Sequence, residues 1–251
     1  MKKSKKNTHQ KDRKIVDILG IGVDSTELVE VLAGVEEKIS DSQKFYIVTP
    51  NPELVLSATK NSALKQAMNS ADFVIPDGVG LKLADSSLKI IKGRELFLDL
   101  IKLAKKKRWK VFLLGGLGSE AELAGKKLGA KYFKGPKLNN EAESISKVDS
   151  KLQIDAVKQI NNFKPNLLFV AFGNPKQEIW IQKNLPNLDI GGAMAVGGTF
   201  RYVAGLSKLP PKWMERVGLE WLYRLITEPF RIKRVWNAVV VFPLKVWLSR
   251  L

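Results

Sequence analysis

The chain has 251 residues, 45% of them hydrophobic, a formal net charge of +17, no Cys and a single His. That length holds one large domain or a domain with an appendage and can bury a sizeable core. Disulfides and thiolate metal sites are excluded; the one His, His9, lies in a lysine-rich tail, so a general base has to come from Asp, Glu, Lys or Tyr.

In chain order, residues 1–14 carry seven Lys/Arg against one Asp and read as a basic, disordered tail, either solubilising or drawn to an anionic surface. "KIVDILGIGV" (14–23) reads as a first strand and "STELVEVLAGVEEKI" (25–39) as a helix with Ser25 as N-cap. "KFYIVTP" (44–50) is a second strand, "PELVLSATKNSALKQAMNS" a helix, and "ADFVIP" a third strand. "RELFLDLIKLAKKK" (94–107) repeats its apolar residues at helical spacing. "WKVFLLGG" (109–116), "PNLLFVAFG" (165–173) and "IGGAMAVGG" (190–198) are further strands, with "PKQEIWIQKNL" a helix between the last two. Strands too apolar to alternate, interleaved with helices, predict an α/β fold: a Rossmann-like, mostly parallel sheet with helices on both faces, over residues 15–204.

In such sheets ligands bind at the carboxyl ends of the strands. The loops there are "TPNPE", "PDGVG", "GGLGSE", "GNPKQE" and "GGTF", and they gather most of the unusual polar and glycine residues. Asp77 in "PDGVG" is either turn chemistry or a catalytic base. Thr49 and Asn51 either orient a sugar or acceptor hydroxyl or, for Asn51, cap the next helix. Gln177 offers both a donor and an acceptor, and Gly197 and Gly198 sit in the last loop. "GGLGSE" is either a phosphate-binding turn or a structural one, and it lacks the lysine of a P-loop.

From residue 205 the character changes. Residues 205–251 hold four of the six Trp and a break at Pro210-Pro211, and from residue 201 onward ten Lys/Arg face three Glu. The last stretch places Arg234, Asn237, Lys245 and Ser249 near one side of a helix and leaves a wide apolar face, with Trp236 and Trp247 near its ends. Such a helix suits a membrane interface better than a membrane span; a core helix or an oligomer contact is the alternative. Arg224, Arg231 and Arg234, spaced by seven and three, could grip a diphosphate if Pro229 does not break the helix, or could form a solvated stripe. No secretory pattern and no run of about 20 apolar residues is present, so the expected location is cytoplasmic.

"TPNPELV", "ADFVIPDGVG", "VFLLGG", "FGNPKQEIWI" and "VGGTFRYVAG", followed by "PPKWMERVGLEWLYRLITEPFRIKR", run in one order from about residue 15 to 236. Together they resemble the WecG/TagA/CpsF glycosyltransferases, glycosyltransferase family 26. The resemblance implies inverting, metal-independent transfer of N-acetylmannosamine or a related sugar from UDP to polyprenyl-diphosphate-linked N-acetylglucosamine, for teichoic acid or another surface polysaccharide. It implies no cofactor beyond the UDP-sugar donor, and a peripheral position on the inner face of the membrane through the appendage. It further implies Asp77 as base, Thr49, Asn51 and Gln177 in the pocket, and Arg224, Arg231 and Arg234 as stabilisers of the departing diphosphate. The chain departs from the family pattern at Ile90, where an Arg is usual and Arg94 is a nearby substitute, at Arg201, where an acid is usual, and at Leu209. These departures put the donor sugar in question. A basic nucleic-acid-binding module rests on charge alone, without an RNA-platform or helix-turn-helix signature, so no nucleic acid is expected. A nicotinamide-dependent oxidoreductase rests only on fold analogy.

Overall fold

The structure, a computed structural model, describes residues 14–211, 213–214, 220–227 and 232–250, with the backbone alone for Glu220 and Arg224. The basic tail up to residue 13 therefore lies outside the described residues.

The first apolar run is not one strand of the main sheet. It folds into an antiparallel hairpin of β1 (Lys14–Ile18) and β2 (Ile21–Ser25). The turn places Leu19 at φ +55° and Gly20 at φ +84°, and the Gly20 N–H donates to Asp17 Oδ1. Two consecutive positive φ values match the twist of a tight hairpin. Ser25 ends β2 and does not cap the next helix, α1 (Leu28–Ser40). The cap is instead built around Glu30, whose carboxylate accepts from the Thr26 hydroxyl at 2.6 Å and the Glu27 N–H at 2.9 Å.

The main sheet has six parallel strands in the order β4-β3-β8-β7-β5-β6. They are β3 (Phe45–Val48), β4 (Phe73–Val74), β5 (Val111–Gly115), β6 (Lys131–Phe133), β7 (Leu167–Ala171) and β8 (Gly192–Ala195). The central strands are apolar throughout because both faces are covered. Tyr46, Val48, Phe112, Leu114, Leu168, Val170, Ala193 and Ala195 point into one core, and Phe45, Ile47, Leu113, Phe169, Ala171 and Met194 into the other. The first core is closed by α2 (Pro52–Ala58), α3 (Ser62–Asn69), α6 (Lys147–Phe163) and α7 (Lys176–Asn184); the second by α1, α4 (Gly93–Lys107), α5 (Glu120–Leu128) and α8 (Thr199–Ala204).

The segment read as one helix after "TPN" is two, α2 and α3, because Asn61 starts a new helix by accepting from the Leu64 N–H at 2.9 Å. The hairpin seals the open edge of the sheet. Buried Asp24 accepts from the Val74 N–H of edge strand β4 at 2.8 Å, and Asn69 of α3 bonds Gly22 N–H and Gly20 C=O of the hairpin. An unpaired edge amide is thereby satisfied and the edge shielded from other chains.

The C-terminal segment contains a helix Glu220–Thr227 and, from Ile232 on and in unbroken succession, Ile232–Trp236, a π-helical turn Asn237–Val241 and Phe242–Leu248. It packs on the same chain. Phe242 is fully buried and Val246 nearly so in the first core, which stabilises the contact by roughly 1.5–3 kcal/mol per side chain. Lys245 Nζ donates to Thr59 Oγ1 at 3.3 Å, and Arg250 donates to the carbonyls of Leu83 and Ala84.

Candidate active site

The chain leaves β3 toward β4 on one side of the sheet and returns through β8 on the other. This change of direction opens a crevice at the carboxyl ends of β3 and β8, where ligands of such sheets sit. The five strand-end loops all leave the carboxyl edge of this parallel sheet.

On the β3–β4 side two loops are bound to each other. The Asp77 N–H donates to the Pro50 carbonyl at 2.8 Å, and the Ile91 N–H to the Pro76 carbonyl at 3.0 Å. Gly78 takes φ +101°, a conformation that favours glycine, and a Cβ on Gly80 would lie 2.9 Å from Pro52 Cγ. The "PDG" segment is thus pressed onto the start of α2 and continues as a 3₁₀ helix, Val79–Leu83. Asn51 caps α2, its Oδ1 accepting from the Leu54 N–H at 2.8 Å, with Pro52 in the first helical position.

Gly93, the first residue of α4, is where two candidate groups of this side meet. A Cβ there would lie 2.8 Å from Thr49 Oγ1 and 3.2 Å from Asp77 Oδ2. The Thr49 hydroxyl and the Asp77 carboxylate therefore converge on one point, at the amino end of a 15-residue helix. Asp77 and Thr49 are both half-buried. A carboxylate that accepts a proton and a hydroxyl that orients a substrate oxygen are brought to one place by this arrangement.

The β7–β8 side is built differently. Gln177, at 3% exposure, accepts from the Gly173 N–H at 3.2 Å and the Gly197 N–H at 3.0 Å. Its amide nitrogen donates to Asn174 Oδ1 at 2.7 Å and Glu178 Oε1 at 2.9 Å. Both lone-pair positions and both hydrogens of the amide are occupied, so Gln177 ties the β7 and β8 loops together. Glu178 was not singled out from the sequence. It is buried, its Oε2 has no hydrogen-bond partner among the described residues, and desolvation raises its pKa to about 7 against the lowering effect of Gln177.

Around these sides lie the remaining candidates. The Arg94 guanidinium stands 5.8 Å from the centre of the Tyr202 ring, facing α8. Ile90 is partly buried against the first core. In "GGLGSE" the Glu120 carboxylate accepts from the Leu117 N–H at 2.9 Å, which closes the glycine loop on itself, and it reaches Arg201 Nε at 4.0 Å. Gly198 is the N-cap of α8 and is exposed. Arg224 lies on the helix Glu220–Thr227, but its side chain, like the whole of Arg231, falls outside the described residues. Arg234 is described: its Nε pairs with Glu53 Oε1 at 3.2 Å, in the first turn of α2 and two residues beyond Asn51. The appendage thus carries one of its arginines to the β3 side of the crevice. Gly93, Glu53 and Glu178 escaped sequence reading, although Glu53 and Glu178 lie inside the quoted "TPNPE" and "GNPKQE".

Comparison with known proteins places this sequence in a family. The sequence matches the glycosyl transferase WecG/TagA/CpsF family over residues 16–251. Among its relatives are the N-acetylglucosaminyldiphosphoundecaprenol N-acetyl-beta-D-mannosaminyltransferases of Staphylococcus aureus strains NCTC 8325 / PS 47 and MRSA252. Each is 32% identical over 238 residues, covering 92% of this chain and 91% of the relative. On the extent of that match, this chain belongs to the WecG/TagA/CpsF family of glycosyltransferases.

Proposed function

We propose that this glycosyltransferase moves N-acetylmannosamine, or a closely related sugar, from a UDP-sugar to a hydroxyl of polyprenyl-diphosphate-linked N-acetylglucosamine, with inversion and without a metal ion. The acceptor oxygen attacks the anomeric carbon, the bond from that carbon to the UDP oxygen breaks, and Asp77 takes the acceptor proton. Thr49 orients the sugar hydroxyls. Arg234, with Arg224 and Arg231, takes up the negative charge that develops on the departing diphosphate. Gln177 contributes by holding the Gly173 and Gly197 loops in place.

The observation that carries this reading is the convergence of Thr49 and Asp77 on Gly93 at the crevice, beside the Arg234–Glu53 ion pair. The activity for which the staphylococcal relatives are named supplies the substrate class. Work at a membrane surface is supported by the C-terminal helix. No helix among the described residues is long and apolar enough to cross a membrane, yet Trp236, Val240, Leu244, Trp247 and Leu248 are exposed on this one. A helix apolar on its outward side with Trp near both ends suits the bilayer interface.

The test is Asp77→Asn, assayed by UDP release with and without a lipid-diphosphate N-acetylglucosamine acceptor. Loss of the general base is expected to lower kcat by roughly 10²- to 10⁴-fold. Thermal protection by UDP should be kept. A variant that turns over at the wild-type rate removes Asp77 from the mechanism.

A further inference from the structure

Two large apolar side chains stand exposed directly behind the candidate base. Val79 is 57% and Leu83 54% exposed, on the 3₁₀ helix that begins two residues after Asp77. Scattered surface apolar residues are ordinary. These two differ in being held rigidly in place. Leu81 between them is fully buried, Gly80 is packed on Pro52, and Arg250 grips the Leu83 and Ala84 carbonyls. That grip also joins them to a larger surface. Arg250 follows the helix Phe242–Leu248, which turns Phe242 and Val246 into the core and Leu244, Trp247 and Leu248 outward. The apolar surface therefore starts beside Asp77, crosses the 3₁₀ helix and continues onto the outward face of the C-terminal helix.

We infer that Val79 and Leu83 form a subsite for the first isoprene units of the acceptor lipid, on the catalytic core itself rather than on the appendage. The inference rests on the lipid-linked acceptor proposed above. At about 2 Å of rise per residue and three residues per turn, Leu83 lies about 8 Å beyond Val79 along the 3₁₀ helix and about a third of a turn round it, leading away from the base. An acceptor whose sugar hydroxyl meets Asp77 has its diphosphate and then its hydrocarbon displaced in sequence from that point. Exposed Lys82, one 3₁₀ turn from Val79 and so on the same side, places a cation beside this strip. The occupant is a linear hydrocarbon attached to an anion, which matches an apolar strip with a cation beside it.

The experiment measures equilibrium binding of N-acetylglucosamine-diphosphate lipids with one isoprene unit and with three, to the full chain without vesicles, and turnover in parallel. Wild type is expected to bind the longer chain about tenfold more tightly, from the additional apolar area covered. In the double variant Val79→Ser/Leu83→Ser that ratio should fall toward one, whereas Val79→Ile/Leu83→Met should keep it. Both positions are exposed, so folding is retained, and unchanged thermal unfolding checks this. Equal binding of the two lipids by wild type, or a ratio unaltered in the Ser variant, overturns the subsite. A ratio unaltered while sedimentation shows a dimer dissociating overturns it too and assigns the patch to a second copy of the chain. Chain-length preference without any turnover supports the subsite and refutes the transfer reaction instead.

Discussion

The two sides of the crevice use similar residues for different ends. On the β3–β4 side Thr49 Oγ1 and Asp77 Oδ2 both face the bare Cα of Gly93, in a space kept open by a missing side chain. On the β7–β8 side Gln177 is buried with every hydrogen-bonding position of its amide used, and Glu178 is buried behind it. Both sides place polar residues at strand ends after Pro- or Gly-containing turns. The difference is what those residues surround. A strand-end amide with all its bonds made within the protein is framework, and it sharpens the loops that a substrate meets. A carboxylate and a hydroxyl gathered around a glycine border a space that a side chain at that position would fill.

The largest effect that would sharpen this contrast belongs to the framework side and is read in stability. Glu178 has its folded-state pKa raised from 4.5 to about 7 by burial. An acid with a raised folded pKa holds its proton longer in the folded state than in the unfolded one. Its contribution is therefore fully present below about pH 4.5 and is lost as pH rises through about 7. Between pH 5 and pH 8 wild type should lose about 2 to 3 kcal/mol relative to Glu178→Gln, measured by urea unfolding at both pH values. A constant difference between the two proteins across that range would show that Glu178 is not held neutral.

On the β3–β4 side the corresponding change is Gly93→Ala. The added methyl would lie 2.8 Å from Thr49 Oγ1 and 3.2 Å from Asp77 Oδ2, closer than such contacts settle. One or both groups must shift by a fraction of an ångström. Displacements of that order in a positioned catalytic group cost roughly 10- to 100-fold in kcat/KM. Stability should change little by comparison, since a helix gains from Ala over Gly. Activity lost with thermal stability kept would separate the two sides; activity kept would mean that Thr49 and Asp77 need not meet at this point.

How much of this could be read from the sequence follows from the same physics. Strands β3 and β7 were legible because burial on both faces demands unbroken apolar runs, Phe45–Val48 and Leu167–Ala171. The hairpin was not, because its turn uses Leu19 at φ +55°, and Leu gives no turn signal. Helix α6 and strand β6 give weak sequence signals: the buried stripe of α6 is thin, with Ala156 and Ile160 among polar neighbours, and β6 has three residues. Asp77 and Thr49 were legible as strand-end polar groups in a chain without a usable His or Cys. The bonding of Gln177 was not, since one of the amides it accepts from, Gly197, is 20 residues away. The burial of Glu178 was hidden because α7 buries five residues in succession, Gln177 to Ile181, and leaves no polar face to read.

The smallest expected effect concerns the link between the core and its appendage. Arg234 and Glu53 are 51% and 28% exposed at their side chains, and a pair so open to solvent contributes little to stability. The fold does not depend on it, because Phe242 and Val246 already anchor the C-terminal helix. What the pair fixes is the direction of one guanidinium, at the first turn of the helix that Asn51 caps. Glu53→Gln removes the charge that holds Arg234 while leaving Arg234 itself available to a diphosphate. It should therefore lower kcat severalfold, with a stability change within about 1 kcal/mol. Arg234→Gln removes the guanidinium altogether and should lower kcat further. If Glu53→Gln matches wild type while Arg234→Gln is impaired, Arg234 finds the leaving group without guidance. If both match wild type, the appendage serves the reaction by attachment alone, and the charge on the departing diphosphate is taken up elsewhere in the crevice.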